Sequence, residues 1–216
     1  TDVRDVILVD IGVGHVQKSN DEMLVLSGDD VLGPVMEALY QLRNEGKVRF
    51  FGIPSWHRDK PTIKRILESG HMHVILAYYN LLDWTSQEVP PQGITIVDQA
   101  QTIPLAKSLN LGVIGIRSHA GGALTPQIDR PIEAGNHYPE DLVKAKTLKF
   151  LLEGRIKNLS QAAMVFCLMN EDIDTIVPGV KNVQEIEELI GCVDFPPIPE
   201  HNLVKLRTLY ARDFEE

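Results

Sequence analysis

The chain has 216 residues, of which 44% are hydrophobic and 24% charged, so it is long enough to bury one core and has the composition of a globular protein. Its net charge of -9 argues against a nucleic-acid partner, because phosphate binding relies on clustered Lys and Arg. No apolar run approaches the length of about 20 residues that crosses a bilayer, and no signal-peptide pattern opens the chain, so we expect a cytoplasmic protein without membrane contact. Cys167 and Cys192 lack the spacing of a metal site, so we expect no metal.

Short apolar runs alternate with longer amphipathic segments, as in parallel strands joined by crossover helices. This pattern predicts strands at residues 6–11, 48–53, 73–78, 111–116 and 175–177. It predicts the intervening and following helices at residues 32–45, 60–69, 97–109, 159–169 and 183–190. Asp59 before Lys60-Pro61 is typical of a helix N-cap, and Gly70 is typical of a left-handed helix end.

Two further segments complete the predicted organisation. Residues 117–140 form a long excursion between the fourth strand and its helix, and such loops are usually functional. Residues 196–216 read as a helical C-terminal capping segment of a single domain that spans residues 1–216. Uniform βα units tend to close as a barrel of eight, which five units cannot do, so we expect the chain to be the C-terminal part of a longer polypeptide.

Several segments, in the right order and spacing, resemble the aldo-keto reductase family. They are "ALYQLRNEGKVRFFGIPSW", "HVILAYYNLLDW", "LGVIGIRSHAGGAL" and "LSQAAMVFCLMNEDIDTIVPGVKNVQEIEELIG". The resemblance runs from Thr1 to about Gly191. It implies an α/β fold, the (β/α)8 TIM barrel of aldo-keto reductase type, of which this chain supplies the last five βα units as an incomplete barrel.

The resemblance also implies a nicotinamide cofactor, NADP with NAD as a possibility, lying across the carboxyl ends of the strands. The positions that match the family's cofactor-binding residues are Ser55, Arg117, Ser118, Gly179, Lys181 and Asn182. A helix N-terminus near Lys181 offers unpaired N–H groups to an anion. Glu185 and Glu188 lie close by and weaken the case for a 2′-phosphate, so the preference between the two cofactors stays open.

In the family, catalysis uses a Tyr, a Lys and an Asp from three strands that would precede Thr1, together with a His that ends the next strand. That His position is Asp10 here, which makes Asp10 the candidate catalytic residue in this chain. Trp56 and Tyr79 match positions that border the substrate. The resemblance therefore implies reduction of an aldehyde or ketone, or oxidation of the alcohol, by hydride transfer.

A second function stays open beside the enzyme. Asp10 in place of His, Pro54-Ser55 in place of Ser-Asn, and Leu76 in place of Gln favour a catalytically impaired binding or regulatory protein that retains the nucleotide site. The substrate would be a small carbonyl compound whose identity the sequence does not give, and the oligomeric state is not predicted.

Overall fold

The five predicted strands form one parallel sheet. A computed structural model of the protein describes residues 4–8, 26–55, 59–94, 96–126 and 138–215. Within these ranges the strands are β1 (Arg4–Leu8), β2 (Val48–Pro54), β3 (Val74–Tyr78), β4 (Gly112–Ile116) and β5 (Thr175–Val177). Their order in the sheet follows their order in the chain, without the reversal that defines a doubly wound sheet. The prediction of an incomplete barrel is confirmed.

Helices follow the strands. They are α1 (Gly28–Asp30), α2 (Met36–Asn44), α3 (Lys60–Glu68), α4 (Thr102–Ser108), α5 (Tyr138–Thr147), α6 (Leu159–Leu168), α7 (Val183–Gly191) and α8 (Glu200–Tyr210). A π-helical stretch, Val31–Val35, joins α1 to α2. The predicted caps of α3 are confirmed, since Asp59 Oδ1 accepts a hydrogen bond from Thr62 N at 3.1 Å and Gly70 has φ +76°.

Two helix predictions need correction, and one helix was not predicted. The first helical segment begins at Gly28 instead of residue 32, because Ser27 and Asp30 form a capping box. The helix predicted from residue 97 begins at Thr102, because Ala100 and Gln101 have positive φ values of 57° and 50°. The helix α5 was not predicted, although acidic residues in its first turn and lysines in its last turn are a helix signal.

Side chains alternate between the two faces of the sheet. Phe51, Ile53, Ile75, Ala77 and Val113 are each 0% exposed and belong to one core cluster with residues of α3 and α4. On β3 the intervening residues, including Leu76 and Tyr78, are only partly buried. The core therefore lies between the sheet and its helices, while the opposite face is more open, as expected for part of a barrel.

The C-terminal helix packs on the segment that follows β3. Tyr210 stacks on Trp84 with ring centroids 3.4 Å apart, and its hydroxyl donates a hydrogen bond to the carbonyl oxygen of Leu81 at 3.1 Å. Lys144 of α5 forms an ion pair with Asp213 just beyond α8. These contacts tie the end of the chain to the side of the sheet where the strands end. Among the described helices, none combines the length and apolar character needed to cross a membrane.

Candidate functional site

A cavity of about 680 Å³ opens at the carboxyl ends of β4 and β5. Five of the predicted cofactor-binding residues line it, namely Arg117, Ser118, Gly179, Lys181 and Asn182. A separate cavity of about 450 Å³, which His73 and Leu111 help to line, lies at the amino ends of β3 and β4 and contains none of the predicted residues. Barrel enzymes carry their sites at the carboxyl ends of the strands, so the first cavity is the candidate site.

The loop after β4 has an unusual backbone. Arg117, Ala120, Gly121 and Gly122 all have positive φ, at 59°, 48°, 66° and 108°. This region disfavours residues with a Cβ atom, and such strain tends to collect at functional sites. The carbonyl oxygen of Arg117 accepts hydrogen bonds from Asn80 Nδ2 at 3.0 Å and from Ala120 N at 2.8 Å. These two bonds hold the loop in its turn.

Asn80 fixes the end of β3 as well as the loop after β4. Its side chain is 0% exposed, and its Oδ1 accepts hydrogen bonds from Leu82 N at 2.8 Å and Asp83 N at 3.0 Å. The same amide group donates to the carbonyl oxygen of Arg117. One buried side chain thus positions the two strand ends against each other.

The glycine pair leaves room for the Arg117 side chain and for α5. A Cβ atom at Gly121 would lie 3.5 Å from Arg117 Nη1, so the guanidinium group passes close to a bare stretch of backbone. A Cβ atom at Gly122 would lie 3.4 Å from the Tyr138 hydroxyl at the start of α5. The guanidinium therefore lies beside the cavity next to backbone that a ligand can approach closely.

Ser118 and His119 carry the buried polar atoms of this loop. Ser118 is 1% exposed, and its Oγ has no hydrogen-bond partner within the described part of the chain. His119 Nε2 lies 3.0 Å from Ser160 Oγ in the first turn of α6. Burial lowers the pKa of His119, and the neighbouring Ser160, Glu185 and Glu188 oppose that shift only in part. His119 is consequently uncharged near neutral pH.

The start of α7 forms the other wall of the cavity. Asn182 is the N-cap, and its Oδ1 accepts a hydrogen bond from Glu185 N at 2.9 Å. The Glu185 carboxylate returns to the backbone, where its Oε2 accepts from Lys181 N at 2.8 Å. Lys181 Nζ lies 3.9 Å from Glu185 Oε1. The Lys-Asn pair therefore contacts a carboxylate of its own helix.

Ser55 and Tyr79 lie outside this cavity. Ser55 is 0% exposed, and its Oγ donates to the carbonyl oxygen of Leu76 at 3.0 Å and accepts from Thr102 Oγ1 at 3.2 Å. Tyr79 stacks on Phe166 of α6 with ring centroids 5.0 Å apart and lines a smaller cavity of about 260 Å³. Burial raises the pKa of Tyr79 well above its usual value. Asp10 and Trp56 lie outside the described residues.

Two residues near the site were missed from the sequence. Tyr78 is the last residue of β3 and lies on the more open face of that strand. Burial raises the pKa of its phenol to about 12, and the charge of Arg117 opposes that shift. Ser160 follows Asn158, the N-cap of α6, so its place at a helix start on the carboxyl side of the sheet was readable from the sequence. The strict alternation of strand side chains was the available signal for Tyr78.

Comparison with known proteins adds a family match. The sequence model of the aldo/keto reductase family matches residues 13–211. An L-galactose dehydrogenase of Arabidopsis thaliana is 28% identical over 166 residues, which cover 76% of this chain and 48% of that protein. The chain thus spans about half the length of this curated relative.

Solved structures show the same fold. The holo form of an aldo-keto reductase from Bacillus halodurans superposes with a TM-score of 0.67 at 21% identity, over 97% of this chain and 62% of that one. A Klebsiella pneumoniae aldo/keto reductase in complex with NADP and acetate gives a TM-score of 0.63 at 14% identity, over 98% of this chain and 60% of that one. The chain therefore matches part of a larger barrel.

Asn80→Ala tests the link between the strand ends. The variant leaves the N–H group of Leu82 without its acceptor and removes the amide donor to the Arg117 carbonyl, while Asp83 N keeps its bond to the backbone carbonyl of Asn80 at 3.2 Å. We therefore expect the free energy of unfolding to fall by about 2 kcal/mol. Urea unfolding followed by circular dichroism measures the change. Asn44→Ala, at an exposed position, serves as the control and should change stability by less than about 0.5 kcal/mol. Equal effects of the two changes would contradict this role of Asn80.

His119→Gln tests whether the lowered pKa of His119 makes the stability of the protein depend on pH. Because the folded pKa of His119 is below its ordinary value of 6.5, the unfolded chain binds the proton more readily between the two pKa values. The contribution of His119 to stability is therefore complete above pH 6.5 and is lost as the pH falls below it. We expect wild type to lose more stability than His119→Gln between pH 7.5 and pH 5.5, as measured by urea unfolding at both values. Parallel losses would show that His119 is not the group responsible.

Proposed function

The chain belongs to the aldo/keto reductase family, and from this premise we propose that it is part of an NAD(P)H-dependent oxidoreductase. The proposed reaction is hydride transfer between the nicotinamide cofactor and a small carbonyl compound, an aldehyde or ketone in one direction and its alcohol in the other. The free thiols of Cys167 and Cys192, both buried, support the proposal that the protein works in the reducing cytoplasm.

The observation that carries the proposal is the group of donors at the end of β4. A dinucleotide contains a pyrophosphate, which needs positive charge and hydrogen-bond donors. Arg117 supplies a guanidinium beside the cavity, and Ser118 supplies a buried hydroxyl that lacks a partner among the described residues. The volume of about 680 Å³ also lies within the range of about 300–1,000 Å³ usual for ligand sites. The residues therefore fit the pyrophosphate of the proposed cofactor.

The remaining proposed contacts lie along the same edge of the sheet. Gly179, Lys181 and Asn182 would contact the adenosine end of the cofactor, since they form the wall opposite Arg117. Ser55 remains in the proposed cofactor-binding set at the end of β2, where its bond to the Leu76 carbonyl holds its hydroxyl in place. The bound nicotinamide ring supplies the hydride, and the chain's own contribution is to hold and orient the cofactor.

The substrate would lie where the strand ends surround the open face of the sheet. Asp10 is the proposed catalytic residue of this chain, and Trp56 and Tyr79 are the proposed substrate neighbours. We add Tyr78, because its side chain belongs to the open face and its phenol is influenced by the charge of Arg117. The phenol is protonated near neutral pH, as a tyrosine with the ordinary pKa of 10.0 also is, so it can donate a hydrogen bond to a carbonyl oxygen.

A nucleotide-binding protein without turnover is the second candidate. It is favoured by Asp10 at the position of the family's His, because a carboxylate there changes the hydrogen bonding offered to a carbonyl oxygen. Both candidates require cofactor binding, and they differ in turnover. Consumption of reduced cofactor with a panel of aldehydes and ketones supports the enzyme, whereas tight binding without consumption supports the binding protein.

Arg117→Gln tests the cofactor site. Loss of one charge-assisted contact to the pyrophosphate should weaken NADH and NADPH binding alike, by about tenfold or more. Isothermal titration calorimetry measures both affinities. Arg212→Gln makes the same change of charge at an exposed position beyond α8 and should leave both unchanged. Wild-type affinity in Arg117→Gln, or equal losses in the two variants, would remove Arg117 from the site.

A further inference from the structure

The Glu185 carboxylate, in the first turn of α7, folds back onto the two residues that precede the helix and lines the cavity there. A helix start attracts anions because its first N–H groups lack helical partners. Here Asn182 Oδ1 satisfies Glu185 N at 2.9 Å, and Glu185 Oε2 accepts from Lys181 N at 2.8 Å. Glu185 Oε1 accepts from Asn182 Nδ2 at 3.1 Å. A neutral amide therefore caps the helix, and a carboxylate lies just before the helix start, where an approaching anion would meet negative charge.

Charge is divided between the two walls of the cavity. Arg117 lies on the β4 wall, next to Ser118, whose hydroxyl has no hydrogen-bond partner among the described residues. On the opposite wall Lys181 Nζ lies 3.9 Å from Glu185 Oε1, which offsets its charge. Glu188 also lines that wall, where its Oε1 accepts a hydrogen bond from Asn158 Nδ2. The α7 wall thus presents two carboxylates against one ammonium group.

His119 does not restore positive charge between the walls. It is 7% exposed, and burial lowers its pKa, so the imidazole is uncharged near neutral pH. Its Nε2 is already within 3.0 Å of Ser160 Oγ. The described part of the cavity therefore has one favourable position for an anion, beside Arg117 and Ser118, and an unfavourable one along α7.

NAD and NADP differ by a single phosphate on the adenosine ribose, which adds a charge of about -2. A carboxylate accepts a hydrogen bond from a ribose hydroxyl but repels a phosphate. Resting on the proposed function, we infer that Glu185 is a specificity residue and that the site prefers NAD(H) to NADP(H). This reverses the order expected from the family resemblance, in which NADP came first.

The test compares NADH and NADPH binding to the intact protein by isothermal titration calorimetry, in wild type and in Glu185→Gln. Gln keeps an acceptor oxygen for Lys181 N while it removes the charge. Wild type should bind NADH about tenfold more tightly than NADPH. In Glu185→Gln the NADPH affinity should rise by about tenfold, with NADH affinity changed by less than about threefold. Because both ligands are measured on each variant, a loss of folded protein lowers both affinities together and leaves their ratio intact.

Glu187→Gln is the matched control. Glu187 is an exposed carboxylate on the same helix and is absent from the cavity wall, so the change alters net charge equally. It should leave the NADH to NADPH ratio unchanged. The wild-type preference should also shrink as salt is raised, because exposed charges are screened.

The outcomes separate this inference from the proposed function. Binding of both cofactors with equal affinity, or with NADPH tighter, would overturn the role of Glu185 and leave the dinucleotide site standing. Equal shifts in Glu185→Gln and Glu187→Gln would also overturn it, since they would reflect net charge alone. If wild type binds neither cofactor, the proposed function itself fails and this inference fails with it.

Discussion

The buried amide of Asn80 is the interaction on which the carboxyl edge of the sheet depends. It accepts hydrogen bonds from the backbone N–H groups of Leu82 and Asp83, beyond β3, and donates one to the carbonyl oxygen of Arg117, after β4. The register of β3 and β4 ends at Tyr78 and Ile116, and Tyr79 N adds one more bond to the carbonyl oxygen of Ile116 at 3.2 Å. The amide therefore extends the connection of the two strands into the loops. It also stabilises the left-handed conformation of Arg117, which places the guanidinium beside Gly121.

The loop after β4 and the start of α7 form the two walls of the cavity, and the walls differ in charge. The β4 wall provides positive charge and the hydroxyl of Ser118, which has no partner within the part of the chain that the structure describes. On the other wall Asn182 caps α7, and the Glu185 carboxylate accepts a hydrogen bond from Lys181 N. The barrel fold explains why both walls meet at one end of the sheet. The side chains on them, and not the fold, decide which anionic groups are accepted.

Much of the fold could be predicted from the sequence because it depends on local patterns. Apolar runs located the strands, and Asp59, Pro61 and Gly70 located α3. The start of α4 could not be predicted in this way. Residues before it are held by tertiary contacts, such as the hydrogen bond from Gln99 N to Thr85 Oγ1 at 2.9 Å. Contacts between distant residues override local helix preference.

The site could be predicted only in part, for the same physical reason. The family resemblance supplied five residues that the structure brings to one cavity. The hydrogen bonds and ion pairs that each of them makes depend on its neighbours in the fold. Asn182 and Glu185 form an Asn-x-x-Glu capping pattern that was visible in the sequence. The pairing of His119 with Ser160 joins residues 41 positions apart, and no sequence pattern indicates it.

Hydrogen-deuterium exchange, measured on the intact protein with and without saturating NADH, shows whether the dinucleotide binds between β4 and α7. We expect NADH to slow exchange in two segments that contribute the opposite walls of the cavity, residues 117–125 after β4 and residues 179–186 at the start of α7. Unchanged exchange in both segments, or protection confined to the cavity at the amino ends of β3 and β4, would contradict a dinucleotide site between β4 and α7.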